Sequence, residues 1–492
     1  MTQQHITQSI PLHTKALHTT ESNRLQNSVI LAWATPRIAF GIMGTLFGVY
    51  LMKFATDVLM IAPAVMGTIL ALSRLWDGVT DPLIGYLSDR TLSRFGRRRI
   101  WMFAAAVPMS ITLVGIWSPP ESLSALNLVV WMSVCLLLYE TASTAFFIPH
   151  GALGLELSPH YHERTRLFGY SHMIGIFGVA AGLAALEFIS QAEDKRESAY
   201  QLSMLAGCAI SVMVLYTTYF LPEKAEFQGR GTINPIQSFK GVFKNPHARL
   251  LFIIYGIETF GGATLGILAA YSAEYVVKMN SLVMILVVYQ LPTFIFAPLW
   301  IRLSRVYGKR NLWVVATLLS ATFFGALVFA GEHDDLYVYI CCFMAGLGGG
   351  AGAVLAPSIQ ADIIDYDEFT TGNRNEGAYL AVWNLIRKIS GSITAFIVGL
   401  SLQYAGFEPN VEQTDTAKTT IQALLSLMPA VCYIIGALLL FRFTFNEKEH
   451  RLVRAQLDRR SPDLAQTPNG KIDQQGPDYS TGQAPEAITD KT

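Results

Sequence analysis

The chain has 492 residues, of which 52% are hydrophobic and 15% charged, and Lys+Arg and Asp+Glu balance at 36 each. With a mean hydropathy of +0.37, this composition excludes an ordinary globular domain and is typical of a polytopic membrane protein. A net charge of zero gives no indication of nucleic-acid binding.

Residues 1–27 are polar and contain no apolar segment of the kind found in cleavable signals, so we expect the first apolar run to start membrane insertion. Apolar runs of about 20 residues or more predict membrane-spanning helices, and the sequence contains twelve such runs. They cover residues 28–53, 63–88, 100–118, 126–152, 168–190, 198–221, 248–277, 280–303, 311–331, 335–358, 378–404 and 419–444. The prediction is therefore an all-α integral membrane protein.

The basic residues between the spans predict the orientation. The loops after even-numbered spans hold 17 Lys and Arg residues, and those after odd-numbered spans hold five. Because basic loops stay on the cytoplasmic side, we expect both termini in the cytoplasm of a cell whose inner (plasma) membrane holds the protein.

The twelve spans divide into two groups of six. Segment LSRFGRRRIW at 92–101 recurs as LSRVYGKRNLW at 303–313. This echo predicts two pseudo-symmetric halves, with a substrate site at their interface near the bilayer midplane. The predicted units are a polar N-terminus (1–27), an N-terminal half (28–221), a linker (222–247), a C-terminal half (248–444) and a disordered tail (445–492).

Two carboxylates lie inside the second predicted span. Asp77 and Asp81 are four residues apart and so share one face of a helix. An ionisable residue at that depth costs about 2.5–3.5 kcal/mol on insertion scales, so the default interpretation is a functional site. Such a pair either shares a proton or chelates a cation. The structural alternative is an ion pair with Arg74.

Other spans offer partners for this pair. Lys388 in span 11 is the natural counter-charge, and Thr144 in span 4 supplies a hydroxyl. The alternative for span 11 is that a basic side chain extends to the cytoplasmic boundary, which we expect of Arg387.

Further polar or aromatic residues in the spans are candidates for lining a cavity. Arg37, Glu140 and Glu258 could equally form hydrogen bonds between helices. Trp383, with Asn384 beside it, could stack on a sugar, although most aromatics in spans pack or anchor. The glycine-rich run 346–352 lies inside a span with no preceding strand, so we expect it to allow close helix packing and not to bind a dinucleotide.

Several motifs resemble those of a known family, the glycoside–pentoside–hexuronide cation symporters of the major facilitator superfamily, which includes melibiose permease. They are RLWDGVTDP at 74–82, IPHGAL at 148–153 with Glu156 and HERTR at 162–166, ADIIDYDE at 361–368 with Arg374, Glu376 and Gly377, and GFEPNVEQ at 406–413. The resemblance covers residues of about 28 to 444.

The resemblance implies roles for individual residues. Asp77 and Asp81 would bind the coupling cation, and Thr144 and Lys388 fall on residues of that cation site. The acidic sugar-binding residue of span 4 in melibiose permease is replaced here by Phe147, and the span-5 arginine by His172. Cation coupling therefore carries over, and galactoside recognition does not.

The charged loops on the predicted cytoplasmic side form a further candidate group. We expect them to make contacts between the halves that stabilise one of two states. The residues are Asp89, Arg90, Arg97, Arg98, Glu156, Arg164, Asp362, Asp365 and Arg374.

These observations predict a secondary transporter that moves a sugar, glycoside or hexuronide together with H⁺ or Na⁺ by alternating access. We expect a protein that functions as a monomer, with no cofactor and no metal other than Na⁺, and no enzymatic activity, because no nucleophile or metal constellation is present. One alternative is a transporter of the same fold for a non-sugar solute such as an amphipathic lipid. Another is a non-transporting sensor or scaffold that recruits partners through its tail.

Overall fold

A computed structural model describes residues 25–157, 161–223, 241–279, 281–372, 376–445 and 447–465. Within these ranges the regular structure is entirely helical, and twelve long helical segments correspond one to one to the predicted spans. They are α1 (Asn27–Asp57), α2 (Pro63–Arg90), α3 (Arg99–Trp117), α4 (Ala125–Glu156), α5 (Tyr161–Ser190), α6 (Lys195–Phe220), α7 (Pro246–Val276), α8 (Leu282–Ile295 and Ala297–Tyr307), α9 (Lys309–Phe329), α10 (Asp335–Thr371), α11 (Glu376–Tyr404) and α12 (Asp415–Leu440). For the described residues the predicted all-helical fold is confirmed, with a helical segment at each of the twelve predicted spans.

Ten of these segments are long and apolar enough to cross a membrane, and α8 is an eleventh as a bent pair. Helix α2 is less apolar because it contains Arg74, Asp77 and Asp81. Its 28 residues still give a length of about 42 Å at 1.5 Å per residue, more than the roughly 30 Å of the hydrocarbon core. This length is sufficient to cross the hydrocarbon core with the three charged residues inside the helix.

Two helices are interrupted at prolines. Helix α1 breaks at Thr35, before Pro36, and contains a π-helical turn at Leu46–Tyr50. Helix α8 bends by 48° between Ile295 and Ala297, where Pro292 removes a backbone donor from the first segment. Proline is an ordinary cause of such kinks.

The packing repeats between the halves. In the N-terminal half, α1 packs against α5, α2 against α4, and α3 against both α4 and α6. In the C-terminal half, α7 packs against α11, α8 against α10, and α9 against both α10 and α12. Each contact has its counterpart six helices later, so the predicted pseudo-symmetric halves are present.

The echoed loop segments also match in backbone conformation. Gly96 has φ +99° and Gly308 has φ +78°, a region that side chains rarely adopt. Gly308 directly precedes α9, whereas Gly96 lies three residues before α3, which begins at Arg99. The sequence echo therefore places a glycine with positive φ shortly before the third helix of each half.

A thirteenth helix, α13 (Glu447–Ala465), follows the last span. It lies in the segment predicted to be a disordered tail, and the prediction is wrong for these residues. Val453 is buried, and His450 Nε2 lies 3.1 Å from Asp365 Oδ2 at the end of α10. This anchorage holds the helix against the C-terminal half. Residues 1–24, most of the predicted linker (224–240) and residues 466–492 lie outside the described ranges.

The glycine-rich run of α10 packs closely, as predicted. A Cβ on Gly348 would come within 2.4 Å of the Ala316 carbonyl oxygen of α9, and one on Gly350 within 2.8 Å of Thr293 Cα of α8. Only glycine permits these approaches, so the run sets the distance between α10 and its two neighbours.

Candidate functional site

A cavity of about 910 Å³ lies between the two halves. Its walls come from α1, α2, α4 and α5 of the N-terminal half and from α8 and α11 of the C-terminal half. This volume falls in the range of small-molecule sites, which lie preferentially at the interfaces between packed units.

Helices α2 and α11 join the halves on one side of the cavity. A Cβ on Gly67 would lie 2.6 Å from the Ala395 carbonyl oxygen, and one on Gly399 would lie 2.5 Å from the Pro63 carbonyl oxygen. Further along, Ser392 Oγ donates a hydrogen bond of 2.8 Å to the Ala71 carbonyl oxygen. The two backbones touch because glycine stands at the crossing.

These contacts lie toward one end of the molecule. We call the side at which the odd-numbered helices from α1 to α11 end the outer side, and the opposite side the inner side. On the outer side, Asp57 of α1 accepts a hydrogen bond of 2.7 Å from Tyr275 Oη of α7, and Lys53 Nζ lies 3.0 Å from Glu274 Oε2. Lys53 also pairs with Asp57, and both are buried.

Between described residues, every hydrogen bond and ion pair that joins the halves lies at the level of Lys388 or toward the outer side. The described contacts between the halves thus close the cavity on the outer side.

The two aspartates of α2, Lys388 and Thr144 meet at the cavity wall. Lys388 Nζ lies 2.5 Å from Asp81 Oδ2 and 3.2 Å from Asp77 Oδ2. Thr144 Oγ1 donates to Asp81 Oδ1 at 3.0 Å. The four residues that the sequence groups as a cation site therefore form one cluster, and its lysine comes from the opposite half.

Asp77 is only 3% exposed, and its Oδ1 accepts no hydrogen bond from the described residues. A buried carboxylate oxygen without a donor is costly. It is therefore a suitable ligand for an added cation or proton.

Arg74 does not serve as the partner of this pair. Its Nη1 lies 3.5 Å from Glu140 Oε1 of α4, so the structural alternative of an Arg74 pair with Asp77 or Asp81 is not the arrangement found. The cavity wall instead holds two separate charge groups.

Most of the other predicted cavity residues line this space: Arg37, Glu140, Phe147, His172 and Asn384 do so. Glu258 and Trp383 do not. Glu258 faces away from the cavity, where it accepts a hydrogen bond of 3.2 Å from Thr317 of α9, and the ring of Trp383 stacks on Tyr255 at 3.6 Å. For Glu258 the arrangement found is the alternative of a hydrogen bond between helices, and Trp383 packs within the C-terminal half.

Arg387 lines the cavity, although its sequence position suggested a side chain at the cytoplasmic boundary. The sequence spacing could have predicted this position, because Asn384, Arg387 and Lys388 follow i, i+3, i+4 spacing and so share one helix face. Tyr139 and Gln290 also line the cavity. Nothing in the sequence separated them from ordinary packing residues.

The predicted gate residues form two networks, one in each half. Arg98 bonds Asp89 at 2.8 Å, and Arg97 bonds Glu156 at 2.6 Å. In the C-terminal half, Lys309 Nζ lies 2.6 Å from Asp362 Oδ2.

The contacts described for these residues tie together helix ends of one half, so contacts between the halves remain a prediction. Arg90 lies over the Tyr86 ring at 4.1 Å. Arg374 and the side chain of Arg164 lie outside the described residues.

Glu223 is a residue of this network that the sequence did not indicate. Its carboxylate accepts hydrogen bonds from the backbone N–H of Arg98 at 3.2 and 3.3 Å and lies 3.6 Å from Arg97 Nε. It ties the end of α6 to the turn before α3.

We expect Glu156→Ala to destabilise the protein by about 2 kcal/mol, because Arg97 and Arg98 are buried and would each lose a charged acceptor. Thermal unfolding in detergent measures the change. Glu447→Ala is the matched control: it removes an ion pair with Arg451 whose side chains are 62% and 72% exposed, and exposed pairs contribute little. Equal melting temperatures for the two variants would contradict the prediction.

Burial raises the pKa of Glu156 above its usual value, and the neighbouring Arg98 and Arg97 oppose this shift. The two arginines thus reduce the rise in the pKa that burial causes. Loss of either arginine would therefore favour the protonated, non-pairing form.

Comparison with known proteins gives matches over most of the chain. A family model described as MFS/sugar transport protein matches residues 32–447. A sodium-dependent lysophosphatidylcholine symporter (1-B) of Danio rerio is 24% identical, over 89% of this chain and 90% of the relative. An Escherichia coli (strain K12) protein named as a candidate sulfoquinovose importer is 24% identical, over 85% of this chain and 90% of the relative. The solved D-xylose–proton symporter has the same fold, with a TM-score of 0.66 at 15% identity over 86% of this chain and 99% of that one.

Proposed function

The chain belongs to the MFS/sugar transport protein family, and from this premise we propose that it is a cation-coupled symporter of a sugar, glycoside or hexuronide. It is a multi-pass membrane transporter that acts on a small molecule. The coupling cation in the proposal is H⁺ or Na⁺, and no further cofactor takes part.

The observation that carries the proposal is the ion cluster in the cavity wall. Asp77 and Asp81 belong to one half and Lys388 to the other. A cation or proton at the aspartates competes with Lys388 for the same carboxylate oxygens. Binding therefore frees the lysine and weakens one tie between the halves, so the site links cation occupancy to their relative position.

The coupling acts in both directions. If the cation favours the arrangement that binds solute, the solute must favour binding of the cation by the same factor. Alternating access would then require the outer contacts, including those of Asp57 with Tyr275 and of Lys53 with Glu274, to break while inner contacts form.

A second solute class is supported by the cavity wall itself. Apolar residues of α5 and α8, among them Ile176, Val179, Leu291 and Phe294, line one side, opposite the charged residues of α2 and α11. A wall with one apolar and one charged side fits an amphipathic molecule. The Danio rerio relative is named for lysophosphatidylcholine, so an amphipathic lipid is the alternative substrate.

The orientation and setting form part of the proposal. The excess of basic residues on the inner side supports a cytoplasmic location for that side, with both termini there and the protein in the inner membrane. In this proposal the contacts of Asp57 and Lys53 close the cavity on the side away from the cytoplasm. We propose that one copy suffices, because a single chain contains both walls of the cavity.

Uptake into proteoliposomes tests the proposed function. We expect an inward Na⁺ or H⁺ gradient to drive accumulation of a glycoside or of a lysophospholipid above its equilibrium level. Matched vesicles without a gradient are the control. Equal final levels with and without both gradients would contradict symport.

Truncation separates a transporter from a scaffold that acts through its tail. We expect a chain ending at residue 465 to retain cation-driven uptake, because α13, with its contacts to Asp365, remains in place. Uptake by the truncated and the full chain is compared at equal protein in the membrane. Loss of function on removal of residues 466–492 alone would favour the scaffold.

A further inference from the structure

The cavity lining carries more positive than negative charge. Its residues include four basic side chains and three carboxylates. They are Arg37, Arg74, Arg387 and Lys388, and Asp77, Asp81 and Glu140. With every group ionised there is an excess of one positive charge, and a bound coupling cation raises it to two.

All three carboxylates are already used by two of the basic residues. Lys388 pairs with Asp77 and Asp81, and Arg74 pairs with Glu140. Arg37 and Arg387 remain. Within the described part of the chain neither has an ion-pair partner, and both side chains are exposed to the cavity.

The two arginines stand at a similar depth in opposite halves. Arg37 is 10 residues from the start of α1 at Asn27, and Arg387 is 11 residues from the start of α11 at Glu376. At 1.5 Å per residue they lie about 15 and 16 Å along their helices from the inner side. An ionisable group at such depth in a span is rare and functional by default.

We propose that the transported solute carries an anionic group, and that Arg37 and Arg387 bind this group from the two walls of the cavity. The inference rests on the proposed transport function and specifies its substrate. A guanidinium presents five donors in a planar fork that matches carboxylate, sulfonate and phosphate oxygens. The solute then supplies the negative charge that the cavity lining lacks.

The arrangement also gives the anion a part in the conformational change. Arg37 belongs to the N-terminal half and Arg387 to the C-terminal half, and both line the cavity between the halves. An anion held by both draws the inner ends of the halves together. A neutral solute of the same size provides no such attraction.

Two kinds of molecule carry this chemistry: a sugar with a carboxylate or sulfonate, and a lysophospholipid with its phosphate. Matched probe pairs distinguish them from neutral relatives. The first pair is methyl β-D-glucuronide and methyl β-D-glucoside, and the second is a lysophosphatidylglycerol and the corresponding monoacylglycerol. Binding to the purified full-length protein is measured at equal ionic strength, because charge pairing is sensitive to salt.

The variants are Arg37→Gln and Arg387→Gln, with Arg37→Lys and Arg387→Lys to keep the charge. Arg302→Gln is the control, since it removes an exposed positive charge at the inner end of α8, outside the cavity lining. We expect wild-type protein to bind the anionic member of one pair about tenfold or more tightly than the neutral member. Each Gln variant should lose about that factor for the anion only, as expected for a lost charge-assisted hydrogen bond. The Lys variants should recover part of it.

The inference is overturned if wild type binds both members of each pair equally, if no anionic probe binds at millimolar concentration, or if the Gln variants bind the anion like wild type. The anion readout is binding and the symport readout is gradient-driven uptake, so the two failures are distinguishable. Gradient-driven uptake of a neutral glycoside that is lost in Asp81→Asn would overturn the proposed anion site but would support symport. If an anion binds but neither a Na⁺ nor an H⁺ gradient drives its accumulation, the anion site is supported and symport is contradicted.

Discussion

Cation-driven accumulation is expected to be lost in both Asp77→Asn and Asp81→Asn. Each change replaces a carboxylate in the cluster with Lys388 by a neutral amide, which removes a charged ligand for the cation. Loss of an interaction with a charged group costs about 1.5–3 kcal/mol, which corresponds to about 10- to 150-fold in cation affinity. The fraction of sites that hold a cation at a given concentration would fall accordingly.

The measurement is solute accumulation in proteoliposomes under an imposed Na⁺ or H⁺ gradient. Asp415→Asn is the matched control, because Asp415 is exposed in the first turn of α12 and far from the cavity lining. Counterflow without a gradient shows whether the variants still bind and move solute. Undiminished accumulation against a gradient in both Asp77→Asn and Asp81→Asn would eliminate the proposed coupling site.

The second large effect is expected at the crossing of α2 and α11. In Gly399→Leu the new side chain would begin 2.5 Å from the Pro63 carbonyl oxygen, a distance that real Cβ atoms do not adopt. The backbones must separate, so the outer seal cannot form as seen here. We expect uptake to fall to near background, because one of the two states required for alternating access is blocked.

Gly391→Leu is the control on the same helix, since a Cβ at Gly391 meets nothing within 4 Å. Maleimide labelling of Ser392→Cys reports the separation directly. Ser392 is 2% exposed under α2, and we expect its cysteine to become reactive when combined with Gly399→Leu but not with Gly391→Leu. Normal uptake and a protected cysteine in the Gly399 variant would show that the seal tolerates the larger residue.

The sequence predicted well the features that depend only on neighbouring residues in the chain. Hydropathy located all twelve spans, since crossing the hydrocarbon core requires a long apolar helix whatever its neighbours are. The echoed turn at Gly96 and Gly308 revealed the two halves, because a positive φ demands the same residue in each copy. The i,i+4 spacing of Asp77 and Asp81, together with their cost in a span, marked the central site before any contact was known.

The sequence did not reveal which polar side chains in the spans face the cavity and which face neighbouring helices. Arg387 points into it, whereas Glu258 and Trp383 are taken up by contacts with α9 and with Tyr255. In a membrane the lipid side is as apolar as the packed side, so the hydrophobic contrast that orients a helix in water is weak.

The partners of the charged loops likewise depended on tertiary structure. Arg97 and Lys309 bind acids of their own half, and α13 is held by its contacts with α10. The sequence alone therefore determined the spans, the two halves and the presence of the aspartate pair, because these follow from local hydropathy and spacing. Only the tertiary structure showed that Lys388 contacts both aspartates and that Arg37 and Arg387 face the cavity with no ion-pair partner among the described residues, because helix rotation is fixed by packing between helices.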